Sequence, residues 1–431
     1  MLRREPPAIE LVVVGDELLS GEVADTNSAF VSGQLAGIGL SSARIVEVSD
    51  DADDIRGELS QAISRSDLVF VLGGLGPTPD DKTLAAVADL CGQRLVRHKR
   101  TLRRIEAGFR RRGKRLPRLA RRQALVLAGA TVLDNPVGMV PGMAVEYQGA
   151  VIMLLPGVPV ELEAIMTQGV VPFLKKRFRL RVSARVRIRT CGVPEAAIAD
   201  RVKRVLVPYP GVHVGFYPHT AGVDLVIRGE SPRKLTGLQR DIARLLGDAV
   251  YETGDRDIGE VVGALLRKRG LKVATAESCT GGLIGDRITD IPGSSDYYAG
   301  GVVAYANDAK VHLLGVKPQT LRRHGAVSSS AVREMARGVC GRLGADVGIA
   351  VSGVAGPGGA TRKKPLGLVF VGVAVTDRCM PADEADGSGA SDRVRTEKHI
   401  FQGIRRMVKE KAAVAGLDLC RRILLERGSG R

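Results

Sequence analysis

Residues 67–81 read D-L-V-F-V-L-G-G-L-G-P-T-P-D-D, an apolar run, Asp67–Leu72, that breaks at once into the turn Gly73-Gly74-Leu75-Gly76 and ends on Asp80 and Asp81. This is a strand entering a glycine-rich turn. Upstream, Ile9–Val14 is a buried strand that runs straight into Gly15-Asp16-Glu17-Leu18-Leu19-Ser20-Gly21, with Asp25-Thr26-Asn27 opening a helix over Asn27–Ile38. Arg44–Val48 reads as a strand, Asp53–Ser64 as a helix, and Ala150–Leu155 as a strand before Pro156-Gly157. Strand and helix signals in alternation over about the first 170 residues predict an open α/β sheet. Both glycine-rich turns then fall at carboxyl ends of strands, where such sheets bind ligands.

From 175 to 250 the pattern changes to an Arg-faced strand, a helix from Glu195 to Val205, strands near 212–217 and 223–228, and a helix from Pro232 to Leu246. That is a small α+β module. A third unit follows: a helix over Ile258–Arg269, a strand over Lys272–Thr275, a Gly-rich turn into a helix from about Gly281, then strands at Val302–Tyr305, Val347–Val351 and Gly367–Val375. Met380–Lys398, polar and rich in Gly, Ser and Asp, predicts an exposed hairpin tip. The expected domains are 1–172, 173–253 and 254–431. The 431 residues suit about three domains at ~150 residues each.

Apolar residues at 44% and charged residues at 26% exclude a disordered or fibrous chain. No apolar run approaches the ~20 residues of a membrane span, and the N-terminus lacks a signal-peptide core. A cytoplasmic protein with no membrane partner is expected. Six scattered cysteines, without a C-x-x-C pair, predict neither a disulfide framework nor a zinc site.

The formal charge of +17 is local. Residues 97–122 hold 13 Lys/Arg against one acid, Glu106, and residues 175–189 hold eight against none. The rest of the chain is slightly acidic. The second segment alternates Arg with Phe178, Leu180, Val182, Ala184, Val186 and Ile188, so a half-buried strand with a solvated arginine face is expected. The first looks like a helix and a loop able to meet phosphates.

Two turns carry chemistry. At the first, glycines let backbone N–H groups approach phosphates, and Asp80 and Asp81 suit a hard divalent cation; a tight turn with an aspartate cap fits the same residues. At the second, Ala276-Glu277-Ser278-Cys279-Thr280-Gly281-Gly282 lies between strand and helix, where an oxyanion can be stabilised. Ser278 needs a base, which Lys310 of Tyr305-Ala306-Asn307-Asp308-Ala309-Lys310 offers if it is desolvated, with Tyr305 relaying or holding the proton. Cys279 is the rival nucleophile, and both residues could instead be structural.

Together these stretches resemble the CinA family. The likeness rests on G-D-E-L-L-x-G, D-T-N, G-G-L-G-P-T-x-D-D, Asn135-Pro136-Val137-Gly138, Pro141-Gly142 and L-P-G-V-P-x-E-L in the first half. In the last domain it rests on E-S-C-T-G-G, Gly293-Ser294-Ser295, Tyr305-x-Asn307-x-x-Lys310, Gly325-Ala326-Val327-Ser328, S-G-V-A-G-P-x-G from Ser352, Lys364-Pro365-x-Gly367 and Phe401-x-Gly403-x-Arg405. The resemblance implies a three-layer domain like the molybdopterin-binding MoaB/MogA proteins, a KH-type-like α+β middle module, and an α/β domain like the PncC nicotinamide mononucleotide amidohydrolases. It implies a Ser278, Tyr305 and Lys310 catalytic set that needs no cofactor, with Thr280, Gly281, Gly282, Ser352, Gly353 and Arg405 on the substrate. In the first domain it implies metal-dependent cleavage of ADP-ribose. There Gly15, Glu17, Asp25, Asn27, Gly73, Gly74, Gly76 and Thr78, with Asn135, Gly138, Pro156 and Gly157, would bind nucleotide, and Asp80 and Asp81 the divalent metal.

The competing readings are a molybdopterin-binding protein and a competence- or damage-linked nucleic-acid binder. Residues 175–255 contain no G-x-x-G loop for clamping a nucleic-acid backbone, so nucleic acid is the minor reading. A homodimer is the default assembly.

Overall fold

The computed structural model describes residues 7–178, 184–229, 231–376, 379 and 394–426. The chain divides into two compact units, Met1–Ser183 and Ala184–Arg431. The strands of the first are β1 (Ile9–Val14), β2 (Arg44–Val48), β3 (Leu68–Leu72), β4 (Leu95–Arg97), β5 (Leu125–Leu127), β6 (Thr131–Leu133), β7 (Gly142–Tyr147) and β8 (Ala150–Leu155). Its helices are α1 (Asp16–Leu19), α2 (Asn27–Gly37), α3 (Ala52–Arg65), α4 (Thr83–Cys91), α5 (Lys99–Arg111), α6 (Pro159–Ile165) and α7 (Val171–Arg177).

Six strands form one sheet in the order β2-β1-β3-β8-β7-β6, and the first four are parallel. Successive side chains of a strand face opposite ways, and here both faces are covered. Leu11, Phe70 and Met153 pack with Val31 and Leu35 of α2 and Leu162 of α6. Val12, Val71 and Ile152 pack with Ile55 and Leu59 of α3 and Val87 of α4. The result is three layers. Double coverage is why β1, β3 and β8 are apolar at nearly every position.

The second unit begins with β9 (Ala184–Thr190), α8 (Glu195–Leu206), β10 (His213–His219), β11 (Gly222–Gly229), α9 (Pro232–Leu246) and β12 (Val250–Glu252). These strands form an antiparallel sheet, β10-β11-β9-β12, with Ile188, Leu225 and Ile227 packed on Ile198 and Val202 of α8 and Leu235 and Leu238 of α9. Next come α10 (Ile258–Arg269), β13 (Val273–Glu277), α11 (Leu283–Thr289), β14 (Tyr298–Val303), α12 (Asn307–Leu314), α13 (Pro318–His324) and α14 (Ser329–Leu343). The chain continues through β15 (Val347–Gly353), β16 (Leu368–Val375), β17 (Val394–Ile400) and α15 (Arg405–Glu426). The sheet β14-β13-β15-β16-β17 is parallel at β13 and antiparallel beyond β15. Ala274, Ala276 and Ala350 face Val332 and Ala336 of α14, while Val273, Ile349 and Val351 face α10 and α15.

Three expectations are corrected. The strand placed at Val302–Tyr305 is Tyr298–Val303, so Tyr305 lies in the loop before α12. Of the Met380–Lys398 hairpin tip, residues 380–393 lie outside the described residues, and 394–398 belong to β17, an edge strand paired along its length with β16. The arginine strand starts only at Ala184, since Arg177 ends α7 and 179–183 lie outside the described residues. Its arginines are also not a solvated face. Arg187 pairs with Asp255 at 2.9 Å, with Arg185 at 3.6 Å from the same carboxylate. Arg189 reaches Asp224 and lies over the Tyr251 ring. β9 is an inner strand, and its arginines meet one acid from the neighbouring strand β11, Asp224, and one from the segment entering α10, Asp255. No helix among the described residues is long and apolar enough to cross a membrane.

Glu10, on β1, is 4% exposed and accepts from Arg65 Nε and Nη2 and from Ser66 Oγ, the shortest contacts being 2.8 Å. Burial alone would raise its carboxyl, but the bonds from Arg65 and Ser66 and the nearby guanidinium charge outweigh it and hold the pKa low. A lowered carboxylate stabilises the fold above the ordinary Glu pKa, and that share is lost as pH falls through the lowered value. Glu10→Gln should therefore lower the first unit's melting midpoint by a few degrees at neutral pH, and by progressively less in acid. Calorimetry of the full chain at several pH values checks this; a pH-independent difference contradicts it.

Candidate active site

β13 ends at Glu277, and residues 278–282 turn from it into α11. The Ser278 N–H donates to Val351 O of β15 at 3.0 Å. Glu277, 1% exposed, accepts from the N–H groups of Gly282, Ile284 and Gly285 at 2.9–3.1 Å. Its carboxylate thus takes up the otherwise orphaned donors at the start of α11. Gly281 and Gly282 supply the positive φ values, 67° and 102°, that the turn needs. Ser278 is thereby held at the strand end with its hydroxyl directed to α12.

Lys310, on α12, is 1% exposed. Its Nζ donates to Ser278 Oγ at 3.0 Å, Ala304 O at 2.7 Å and Tyr305 O at 2.9 Å. Burial pushes its pKa below that of an ordinary lysine, because the charged form is desolvated. A neutral amine keeps two N–H bonds. The two carbonyls take those and leave the lone pair facing the Ser278 hydroxyl. Cys279 differs. Its side chain is packed in the core between sheet and helices, and burial pushes its thiol up to about 12, so it carries almost no thiolate at neutral pH. Of the two candidate nucleophiles, only Ser278 has a base at hydrogen-bond distance.

Tyr305 gives its carbonyl to Lys310, whereas its exposed hydroxyl accepts from Arg405 Nη2 at 3.0 Å. The relay through the Tyr305 hydroxyl that the sequence suggested is not formed here. Arg405, at the start of α15, also donates to Gly356 O at 2.5 Å. With Leu283, Arg406, Lys409 and Glu410 it lines a cavity of about 480 Å³. Ser352 is buried and donates to Ala326 O at 2.8 Å, bracing the loop before α14, and Gly353 follows it where a side chain would strike Leu368 O. Thr280 is 1% exposed and its hydroxyl has no partner; among the described residues the N–H groups of Thr280 and Gly281 also have none. Donors beside a nucleophile, unspent on the fold, are what an oxyanion requires.

In the first unit, the carboxyl ends of the adjacent parallel strands β1, β3 and β8 bring three turns together. Gly73 packs so closely on Val14 O that a Cβ would stand 2.5 Å from it, and a Cβ on Gly157 would lie 3.4 Å from Gly73 Cα. Asn27 Nδ2 donates to Gly157 O at 2.7 Å. Asp25, just ahead of α2, accepts from Ser28 N in the helix's first turn at 2.9 Å. Glu17 folds back over Gly15, Gly74 packs on Thr83, and Pro156 is buried beside Gly157. Asn135 is fully buried and spent internally: it donates to Val140 O and Glu161 Oε2 and accepts from Val137 N and Gly138 N. It shapes the loop and has no capacity left for a ligand.

The two aspartates expected to hold metal diverge. Asp80 is exposed. Asp81 accepts from Gly76 N at 2.7 Å, Thr78 N at 2.8 Å and the Thr78 hydroxyl, so its carboxylate closes the turn. Among the described residues no three His, Cys, Asp or Glu side chains gather as a ligand set. These residues do not by themselves fit a metal ion. Sequence reasoning missed Glu277, Glu161, Asp50 and Arg104. Asp50 and Asp16 each accept the other's backbone N–H on a side-chain carboxylate, and burial together with the carboxylates of Asp16, Glu17 and Asp81 raises the Asp50 pKa. Arg104 donates to Asn135 O and Met139 O from α5. Glu277 alone left a signal, an acid at a strand end ahead of two glycines and a helix.

Residues 255–424 match a family model described as the CinA C-terminal domain, and residues 10–176 match one described as a probable molybdopterin binding domain. A CinA-like protein of Chloroherpeton thalassium is 39% identical over 430 residues, covering 96% of this chain and 99% of its own. A putative competence-damage inducible protein of Symbiobacterium thermophilum is 41% identical over 426 residues, covering 96% and 98%. Among solved structures, a competence/damage inducible protein from Agrobacterium tumefaciens is 34% identical and covers 38% of this chain and 93% of its own, with a TM-score of 0.34. The full-length relatives carry the assignment.

The buried thiol of Cys279 gives a direct check on the turn. In native protein at pH 8, iodoacetamide should leave Cys279 unmodified, while in denaturant all six cysteines react. Peptide mass mapping reads this out; rapid native labelling of Cys279 would mean an exposed, activated thiol.

Proposed function

The chain belongs to the CinA family, and on that premise we propose that its C-terminal domain hydrolyses the amide of nicotinamide mononucleotide, releasing ammonia and nicotinic acid mononucleotide. The observation that carries this reading is the 3.0 Å contact between Lys310 Nζ and Ser278 Oγ, with both remaining amine hydrogens bound by carbonyls. Neutral Lys310 takes the proton as Ser278 Oγ attacks the carboxamide carbon. The tetrahedral oxyanion is received by the free N–H groups of Thr280 and Gly281, with the Thr280 hydroxyl nearby. Lys310 returns the proton to the nitrogen, ammonia leaves, and an acyl-serine remains. Water, deprotonated by the same amine, hydrolyses the ester and restores Ser278. Arg405 and Lys409 supply positive charge for the phosphate, and Tyr305, steadied by Arg405, borders the entrance.

For the N-terminal domain, we propose a site for a nucleotide pyrophosphate such as ADP-ribose, held and cleaved at the glycine turns after β1 and β3. The support is the convergence of three strand-end turns and the resemblance to the family. Among the described residues the chain's carboxylates form no ligand set, so the support is for the nucleotide and not for a metal. A pterin ligand is the second reading, favoured by the match of residues 10–176 to a molybdopterin-binding family. Titrating the full chain with ADP-ribose and with molybdopterin separates the two.

Ammonia release from nicotinamide mononucleotide tests the main reading. Ser278→Ala and Lys310→Arg should each lower turnover by at least about a thousandfold, the latter because a guanidinium stays charged. Cys279→Ala should retain most activity. Turnover should rise with pH as Lys310 loses its proton, through a pKa below the ordinary lysine value. Near-normal turnover by Ser278→Ala, with Cys279→Ala inactive, overturns the assignment.

Asp81→Asn leaves one of the loop's three donors facing an amide N–H instead of an acceptor. It should reduce ADP-ribose binding and cleavage by about tenfold or more, on the ~1–3 kcal/mol of an unsatisfied hydrogen bond, and leave ammonia release intact. Parallel loss of both activities contradicts two independent sites.

A further inference from the structure

The fold treats the arginines of β9 and the cations of residues 97–122 oppositely. Arg185, Arg187 and Arg189 of β9 are half-buried and meet Asp255, Asp224 and the Tyr251 ring. Residues 97–122 are left uncompensated. Twelve of their 13 cations are exposed, and among the described residues only Arg100 pairs with a carboxylate, Asp134 at 3.0 Å. The thirteenth, Arg104, is tied to backbone carbonyls of the 135–139 loop, which anchors α5 to its own unit. We propose that residues 97–122 form a docking surface for nucleic acid, gripped through its phosphates without reading base sequence.

The extent of the surface selects the ligand. α5, with 13 residues, is about 20 Å long, and the basic chain continues through Lys114, Arg115, Arg118, Arg121 and Arg122. A nucleotide with two phosphates would engage a small part of this. Duplex DNA presents one charge per about 1.7 Å of axis, so roughly a dozen lie around a stretch of that length, several of them on the side facing the protein. Eleven of the 13 cations are arginines, whose planar forks pair with phosphate oxygens. The only aromatic residue in the segment, Phe109, is half-buried and offers no stacking platform. A membrane surface fits less well, because the fully covered positions of α5, Thr101 and Ile105, are turned into the protein and leave no apolar face to insert. The surface does not depend on a backbone-clamping loop in the middle module, whose absence from the sequence made nucleic acid the minor reading.

The test is fluorescence anisotropy of the full chain with labelled random-sequence duplex DNA and RNA, from about 50 to 200 mM salt. Binding is expected, with the logarithm of the association constant falling linearly against the logarithm of salt at about −0.9 per phosphate engaged. The triple variant Arg110→Glu, Arg111→Glu and Arg112→Glu should weaken binding at least about tenfold and make that slope shallower by about three. The same charge change at exposed Lys203, Arg204 and Arg240 should alter binding by less than about twofold, with thermal unfolding of both variants close to that of the parent. Absence of binding at the lowest salt, equal weakening by the two triple variants, or tighter binding to anionic phosphatidylserine vesicles than to DNA or RNA overturns the proposal.

Discussion

An amine sealed from water must either lose its charge or find partners for every hydrogen, and Lys310 is placed so that both options are open. The carbonyls of Ala304 and Tyr305 hold two hydrogens in either state, and the third position faces Ser278 Oγ. The candidate chemistry of the second unit depends on that arrangement. It requires β13 and β15 to be parallel neighbours, because Val351 O fixes the Ser278 backbone. It requires the loop after β14 to present two successive carbonyls inward, and α12 to start there. A nitrogen shifted by one ångström would lose the hydroxyl or a carbonyl.

Several buried polar groups organise turns and leave the ligand-facing positions to backbone. Glu277 gathers three N–H groups at the start of α11, Asp81 closes the turn after β3, and Asn135 with Glu161 ties the loop at 135–140. These groups look catalytic in a sequence, since they are acids and amides beside glycines. In the fold each is engaged in holding its own turn or loop, and Asn135 has its full hydrogen-bonding capacity spent there. What the fold leaves without partners among the described residues of the second unit's turn is a pair of N–H groups and the Thr280 hydroxyl, while the cations of Arg405 and Lys409 line a neighbouring cavity.

The charge distribution follows the same division between groups consumed by the fold and groups left to solvent. Arginines on an inner strand such as β9 can be half-buried only beside acids or an aromatic face, and the fold provides Asp224, Asp255 and Tyr251. A surface helix is under no such demand. α5 buries a narrow stripe and leaves the rest of its circumference charged. Net charge therefore says little about partners until the internal pairs are subtracted.

The sequence by itself determined the architecture of both sheets' cores and the position of both turns. Unbroken apolar runs such as Leu11–Val14 and Leu68–Leu72 can be satisfied only by coverage on two faces, and the glycines that follow them can only be turns. It also determined the family, because motifs such as E-S-C-T-G-G and G-G-L-G-P-T carry their identity in linear order. Hydrogen-bond satisfaction was left to tertiary structure, being a property of neighbours distant in the chain. Lys310 meets Ser278 across 32 residues, Arg405 meets Tyr305 across 100, and Asp255 meets an arginine strand some 70 residues earlier. Only the fold could decide that Cys279 is buried while Ser278 has an amine at hydrogen-bond distance, that Asp81 and Asn135 serve their loops, and that the arginines of β9 meet acids while most cations of residues 97–122 are left to solvent. Period and composition report which face a side chain prefers; they do not report which partner waits there.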